Sequence, residues 1–216
     1  MPAITISREI GSLGDLIAEQ TAKRLGYKLM DKNTIGKIFY QFGFLDFKEI
    51  YEETGFWAQF DQHRTEMVSF LNRIIETAAF HGNIVLLGRG GFAMLKGYLD
   101  VLNVRIKAPF SLRVERVMEE RAFDSLAQAE EFVQESDRMR KDFVNSMYAE
   151  RWDSITAFDM VIDTGKISAP QAVDWLQTAA NTLKHVQPDK VLTTRAKEID
   201  PVLLDSIEQV LNKQPA

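Results

Sequence analysis

The chain has 216 residues, 45% of them hydrophobic and 26% charged, with a formal net charge of −5 and no cysteine. Those values fit a globular protein with one sizeable core and exclude disulfides and thiolate metal sites. An acidic balance argues against a nucleic-acid partner, whereas a small nucleotide needs only a local group of cations.

No run of roughly 18 apolar residues is present, so no membrane partner is expected. The opening MPAITISREIG lacks the basic and apolar regions of a secretory signal, and a cytoplasmic location is expected. His63, His81 and His185 show no metal-ligand spacing, which argues against a zinc or histidine-catalysed site.

Residues 3–7 read as a short buried strand. A turn with Gly11 and Gly14 follows, then a helix over 15–25, where Leu16, Ile17, Thr21, Ala22 and Leu25 recur at helical spacing and Gly26 is a stop. Residues 27–30 form a short strand ending at Asp31, and 33–44 a helix interrupted by Gly36. Residues 45–57 are aromatic and acidic without a clear period. Met67, Phe70, Leu71, Ile74, Ile75 and Ala78 mark one face of a helix that stops near Gly82. The apolar run 84–87 leads straight into Gly88-Arg89-Gly90-Gly91. A strand is expected over 101–107, and Pro109 opens a helix carrying Arg113, Arg116 and Arg121. A long helix covers 126–143, and a strand covers 160–163. Ser168 with Gln171 makes a capping box for a helix through Leu183. After the polar stretch HVQPDKVLTTRAKE, where the chain is expected to break, Asp200-Pro201 caps a last helix with Val202, Leu203, Ile207, Val210 and Leu211 apolar.

Alternating strands and helices imply an α/β fold, a parallel sheet flanked by helices on both faces in three layers. Ligands of such sheets bind beyond the carboxyl ends of the strands. The search for a site therefore narrows to 7–15, 31, 88–91, 107–109 and 163–165. In the loop from Ser7 to Gly14, successive backbone N–H groups and the helix dipole can attract an anion. The plain alternative is a tight turn with Asp15 capping the helix.

The order strand, SREIGSLG, helix, AKRLGY, LMD resembles the opening of the cytidylate kinase-like family, a branch of the P-loop nucleoside monophosphate kinases. GRGG, VRIKAPFSLRVERVMEER, ESDRMRK and FDMVIDTG follow in the matching order. The resemblance spans residues 3 to 183 and implies a P-loop NTPase-like sheet with a helical acceptor lobe at 32–80 and a lid at 122–157. Residues 184–216, a linker and terminal helix, have no counterpart in it. It implies that Ser7, Arg8, Gly11, Ser12, Gly14 and Asp15 form the loop around the donor phosphates. It further implies that Asp31 lies at the acceptor edge, that Arg89 reaches the acceptor phosphate, and that Arg138 and Arg140 close over the group being transferred. ATP and Mg2+ would be the cofactors. Several arginines from distant segments suit such chemistry, because phosphoryl transfer depends on positioning and neutralising spread charge. Each also has a plainer reading: Arg138 and Arg140 as surface charges, Arg113, Arg116 and Arg121 as partners of Glu115, Glu119 and Glu120, and Asp31 as a helix cap.

The phosphate loop departs from the standard G-x-x-x-x-G-K-[ST]. Arg8 and Leu13 stand where that pattern has its two glycines, Gly14 stands at the lysine, and Asp15 or Leu16 at the hydroxyl. In the family's own form, SREYGSGGRE, a basic residue sits one place later, where this chain has Asp15. One charge-assisted hydrogen bond is worth about 1.5–3 kcal/mol, so Arg8 or a lid arginine can compensate for the lost lysine. An added carboxylate repels phosphate unless it turns away as a cap or holds magnesium; otherwise it fills the loop from within and donor binding is lost.

The expected activity is ATP-dependent phosphorylation of a nucleoside monophosphate, with CMP or dCMP favoured by the resemblance. Two alternatives remain open. One is a non-catalytic nucleotide-binding or regulatory module, with the tail from Val186 as a contact arm. The other is a kinase of a small phosphorylated or non-nucleotide metabolite, its pocket lined by the aromatic stretch 39–60. The amphipathic terminal helix fits a homodimer or packing on its own domain.

Overall fold

The central strand is buried on both faces, and that decides the architecture. In β1 (Ala3–Arg8) every residue from Ala3 to Ser7 is buried, so both faces of the sheet must be covered. The computed structural model describes residues 2–44, 62–185 and 192–214. After β1 come α1 (Gly14–Leu25), β2 (Lys28–Met30), α2 (Lys32–Gln41), α3 (Gln62–His81), β3 (Ile84–Leu87) and the short α4 (Gly91–Met94). Then follow β4 (Val101–Lys107), α5 (Phe110–Arg121), α6 (Leu126–Tyr148), β5 (Met160–Asp163), α7 (Ala169–Leu183) and α8 (Pro201–Asn212).

The strands form one sheet in the order β2-β3-β1-β4-β5, with every pairing parallel. Ala3 stands beside Ile84 on one side and Val101 on the other. Alternating side chains then feed two cores. Ile4, Ile6, Val104 and Ile106 meet Ile17 and Ala18 of α1 and Ala172, Val173 and Leu176 of α7. Ala3, Ile84, Leu86 and Val101 join the larger core formed with α2, α3 and α8. The three layers are those expected. A smaller cluster of Val114, Val117, Ala129 and Val133 fastens α6 to α5.

Several boundaries differ from expectation. The second helix ends at Gln41 rather than at 44, because Phe42 and Phe44 fold back onto Phe70, with ring centroids 4.9 and 5.2 Å away. The long helix runs past 143 to Tyr148, where Ala149 stops it in the left-handed conformation. Asp31, Ser168 and Asp200 each accept the hydrogen bond of a cap, as their positions implied.

The terminal segment folds back on its own chain. Asp100 accepts from the Thr194 N–H at 2.9 Å and from its hydroxyl at 2.6 Å. From there α8 packs on α2, α3 and β2, burying Leu203, Ile207, Val210 and Leu211. Arg73 pairs with Asp200, and Gln214 donates to the Leu29 carbonyl and the Thr34 hydroxyl. The helix thereby serves as a wall of the larger core. Ile207→Ala should cost about 2–5 kcal/mol in equilibrium urea unfolding. A change under about 0.5 kcal/mol would mean that α8 is not part of the cooperative core.

Candidate phosphate-binding site

The loop leaving β1 is held by side chains that arrive from β4, α5 and the end of β5. Glu9 is the hub. Its carboxylate takes Arg105 at 3.0 Å, Arg113 at 3.3 Å and the Ala108 N–H at 3.2 Å. Arg105 lies over the Trp152 ring, 4.3 Å from its centroid, and donates to the Trp152 carbonyl at 2.6 Å. The Trp152 indole in turn donates to the Ser7 hydroxyl at 3.0 Å. Along the loop, Arg113 donates to the Ile10 carbonyl, Arg116 to the Gly11 carbonyl, and Thr164 to the Ser12 carbonyl. The loop's carbonyls thus face outward onto donors. The leading N–H groups of α1 have no acceptor within their own helix. Gly11 has φ +73°, and a side chain there would meet the Arg113 carbonyl oxygen at 2.6 Å.

Asp15 does not cap α1, contrary to one sequence expectation. The capping position is Leu13, held at φ 62° with no side-chain hydrogen bond. Asp15 sits in the first turn, and its carboxylate takes the Arg8 guanidinium at 2.8 Å from one nitrogen and 3.3 Å from Nε. Burial pushes its acid up, but attraction to Arg8, and secondarily to Arg140, outweighs this and holds it below the usual carboxylate range.

Arg8, Arg89 and Arg140 come together beside this pair. Arg89 sits at the end of β3 between Gly88 and Gly90, and all three are in the left-handed region, at φ 77°, 58° and 71°. A non-glycine residue in that region is uncommon. The Tyr148 hydroxyl donates to Asn72 at 2.8 Å and to the Arg89 carbonyl at 3.4 Å, and a side chain at Gly90 would overlap the Tyr148 ring. Arg140 comes from α6 and donates to the Ser136 carbonyl at 3.0 Å and to the Ser136 hydroxyl. Burial first, then the positive charge of Arg8 and more weakly of Arg89, brings its pKa down to about 10, against the pull of Asp15 and Asp137. With Asp137 engaged by Arg113 at 2.9 Å, Arg8, Arg89 and Arg140 stand together about the carboxylate of Asp15. Asp137 itself is pushed up by burial despite its arginine partner.

Two candidates stand apart. Arg138 is 64% exposed at the rim, paired with Glu135 one turn earlier. Asp31 caps α2, accepting from the N–H and hydroxyl of Thr34 at 2.8 Å each. The cleft between the loop, the Gly88–Gly90 turn and α6 measures about 980 Å³, with Arg8, Arg89, Arg140, Phe92 and Phe143 in its wall. Of the aromatic stretch, Phe39, Phe42 and Phe44 pack in the core with Phe70, and Tyr40 is exposed; residues 45–60 lie outside the described residues.

Sequence reasoning missed the inner support. Arg113 and Arg116 do not merely pair with neighbouring glutamates; both are spent on the loop. Arg121 instead lies over the Phe132 ring, 4.5 Å from its centroid. The available signal was Arg105, a charge inside the apolar strand VLNVRIK, which must find a buried partner.

A parallel sheet with a glycine-containing loop between its first strand and helix, and arginines entering from a neighbouring strand end and a long helix, defines a kinase-like fold of the P-loop class. The chain belongs to the cytidylate kinase-like family, whose pattern matches residues 3–166. The cytidylate kinase of Methanopyrus kandleri is 25% identical over 192 residues, covering 83% of this chain and 93% of that protein. The uronate isomerase of Corynebacterium glutamicum is 34% identical over 90 residues, 42% of this chain, and the match spans 17% of that enzyme. A crystal structure of a protein from Eubacterium ventriosum has a TM-score of 0.64 at 21% identity, covering 84% of this chain and 99% of that one. The shikimate kinase of Acinetobacter baumannii, solved with shikimate, has a TM-score of 0.50 at 18% identity, covering 86% and 96%. These structures show the shared fold.

Proposed function

We propose that the protein transfers a phosphoryl group from ATP to a nucleoside monophosphate, with CMP or dCMP the favoured acceptor. The observation that carries this reading is the convergence of Arg8, Arg89 and Arg140 on one cleft at the strand ends. Three cations crowded against one another disfavour the free state of the site. A polyanion that neutralises them is favoured in proportion. Family membership and the cytidylate kinase relatives support the same reading and supply the acceptor class.

In this reading Arg8 faces the donor phosphates, Arg89 the acceptor phosphate and Arg140 the group in flight. Arg138 screens the mouth, and Asp31 holds the acceptor edge through its cap on Thr34. Among the described residues no group of three or more histidine, aspartate or glutamate side chains makes a metal cage, and Asp15 is already engaged by Arg8. Any magnesium would therefore be carried chiefly by the phosphates of ATP, as is usual for that ion. The test is a coupled assay with ATP, magnesium and a panel of monophosphates. ADP should form with CMP or dCMP well above the acceptor-free blank, and no ADP with any acceptor would overturn the proposal.

A second reading is favoured by the Asp15–Arg8 pair, which places a carboxylate at the mouth of the loop. There the fold binds a monophosphate without transfer. It predicts a raised melting temperature with CMP, none with ATP, and no ADP in the coupled assay.

A further inference from the structure

Glycine stands at position 14, where the standard phosphate loop carries its lysine, and the reason is visible in the packing. Gly14 is the first residue of α1 and has no positive φ, so its backbone does not require glycine. Space does. A side chain built there would overlap Cβ and Cγ of Arg8. The Arg8 stem crosses the start of the helix at the place from which a lysine at 14 would rise.

The far end of the same side chain has a second glycine to itself. At Gly88 an added side chain would meet an Arg8 guanidinium nitrogen at 2.6 Å, and no other residue comes as near. Nε and one terminal nitrogen of Arg8 lie on Asp15, which leaves the other terminal nitrogen toward the Gly88 turn and the cleft. Two glycines on separate segments make room for one arginine, which Asp15 grips by its opposite edge. Arg8 is 17% exposed, low for a long cation and enough to touch a ligand in the cleft.

We propose that Arg8 replaces the missing lysine. It supplies the donor-side cation from the first position of the loop, and position 14 is glycine because the Cβ and Cγ of residue 8 already occupy the place of a side chain there. This rests on the reading that the loop accepts the phosphates of ATP. The guanidinium offers a planar fork where a lysine offers a point charge, so its contact with phosphate oxygens is paired and directional.

The test is a cycle on the full chain with Arg8→Ala, Arg8→Gly, Gly14→Ala and Gly14→Lys, read by melting and by calorimetric titration with ATP and, separately, CMP. Gly14→Ala should lower the melting temperature by several degrees in the wild-type background. In an Arg8→Gly background, which removes both the Cβ and the Cγ that a side chain at 14 would overlap, it should leave the melting temperature unchanged or raise it, since alanine favours a helix over glycine. Equal effects in both backgrounds would overturn the packing claim. Arg8→Ala should weaken ATP by about ten- to a hundredfold and CMP by much less. Gly14→Lys should restore most of the lost ATP affinity only when residue 8 is glycine. Unchanged ATP affinity in Arg8→Ala would overturn the replacement while leaving phosphotransfer, if seen, intact. Loss and rescue of ATP binding without any ADP formation would uphold the replacement and sink the kinase reading instead.

Discussion

Replacing Glu9 with glutamine should destabilise the protein by about 3–5 kcal/mol, the cost of leaving buried cations without their partner. Arg105 and Arg113 are 6% and 5% exposed, and Glu9 lies between them. In the native network two guanidinium groups face two carboxylates, Glu9 and Asp137. Glutamine keeps the shape but leaves one uncompensated positive charge where water cannot reach it. The same carboxylate accepts the Ala108 N–H, so β4 loses an anchor at the point where it hands the chain to α5. The midpoint of urea unfolding reads the loss, at an unchanged slope. A shift worth less than about 1 kcal/mol would show that Arg105 and Arg113 find other partners and that the loop is not built on Glu9.

Arg140→Gln should separate stability from function. It should lower kcat/KM for phosphotransfer by about two to three powers of ten, the scale of one charge-stabilising group in a dry site. The unliganded fold should lose nothing and can gain. The pKa of Arg140 in the fold, about 10, lies below the ordinary guanidinium value, so burial and the neighbouring Arg8 oppose its charge. Charging therefore works against folding, in full below pH 10, and the penalty fades only as the pH climbs above that value. At neutral pH a neutral side chain removes the penalty. Steady-state kinetics and a melting curve on one preparation test both halves. Reduced stability with unchanged kcat/KM would make Arg140 a structural residue.

What could be read from the sequence was local. Strand ends, the capping roles of Asp31, Ser168 and Asp200, and the apolar stripe of α8 follow from period and cap chemistry over a few residues. The loop and the candidates Arg8 and Arg89 stand out by their place at strand ends, whereas Arg140 is singled out by the resemblance alone. What was not legible is long-range. Glu9 meets partners at 105 and 113, Thr164 reaches back to Ser12, and Tyr148 reaches Asn72 and Arg89. No periodicity encodes such pairs. A cap is one of the roles open to Asp15 in the sequence, because aspartate at a helix start is a good one, but the ion pair with Arg8 prevails. The fate of the tail turned on whether the apolar face of α8 had a surface to cover, which only the exposed sides of α2 and α3 could settle.

The account rests on a cationic cleft that takes phosphate, and calorimetric titration of the protein with ATP and with CMP, each at about 50 and 200 mM salt, tests it most directly. Saturable one-to-one binding of both, weakening as salt rises because guanidinium–phosphate attraction is screened, is the predicted result. Absence of binding heat for both nucleotides at the lower salt would contradict it.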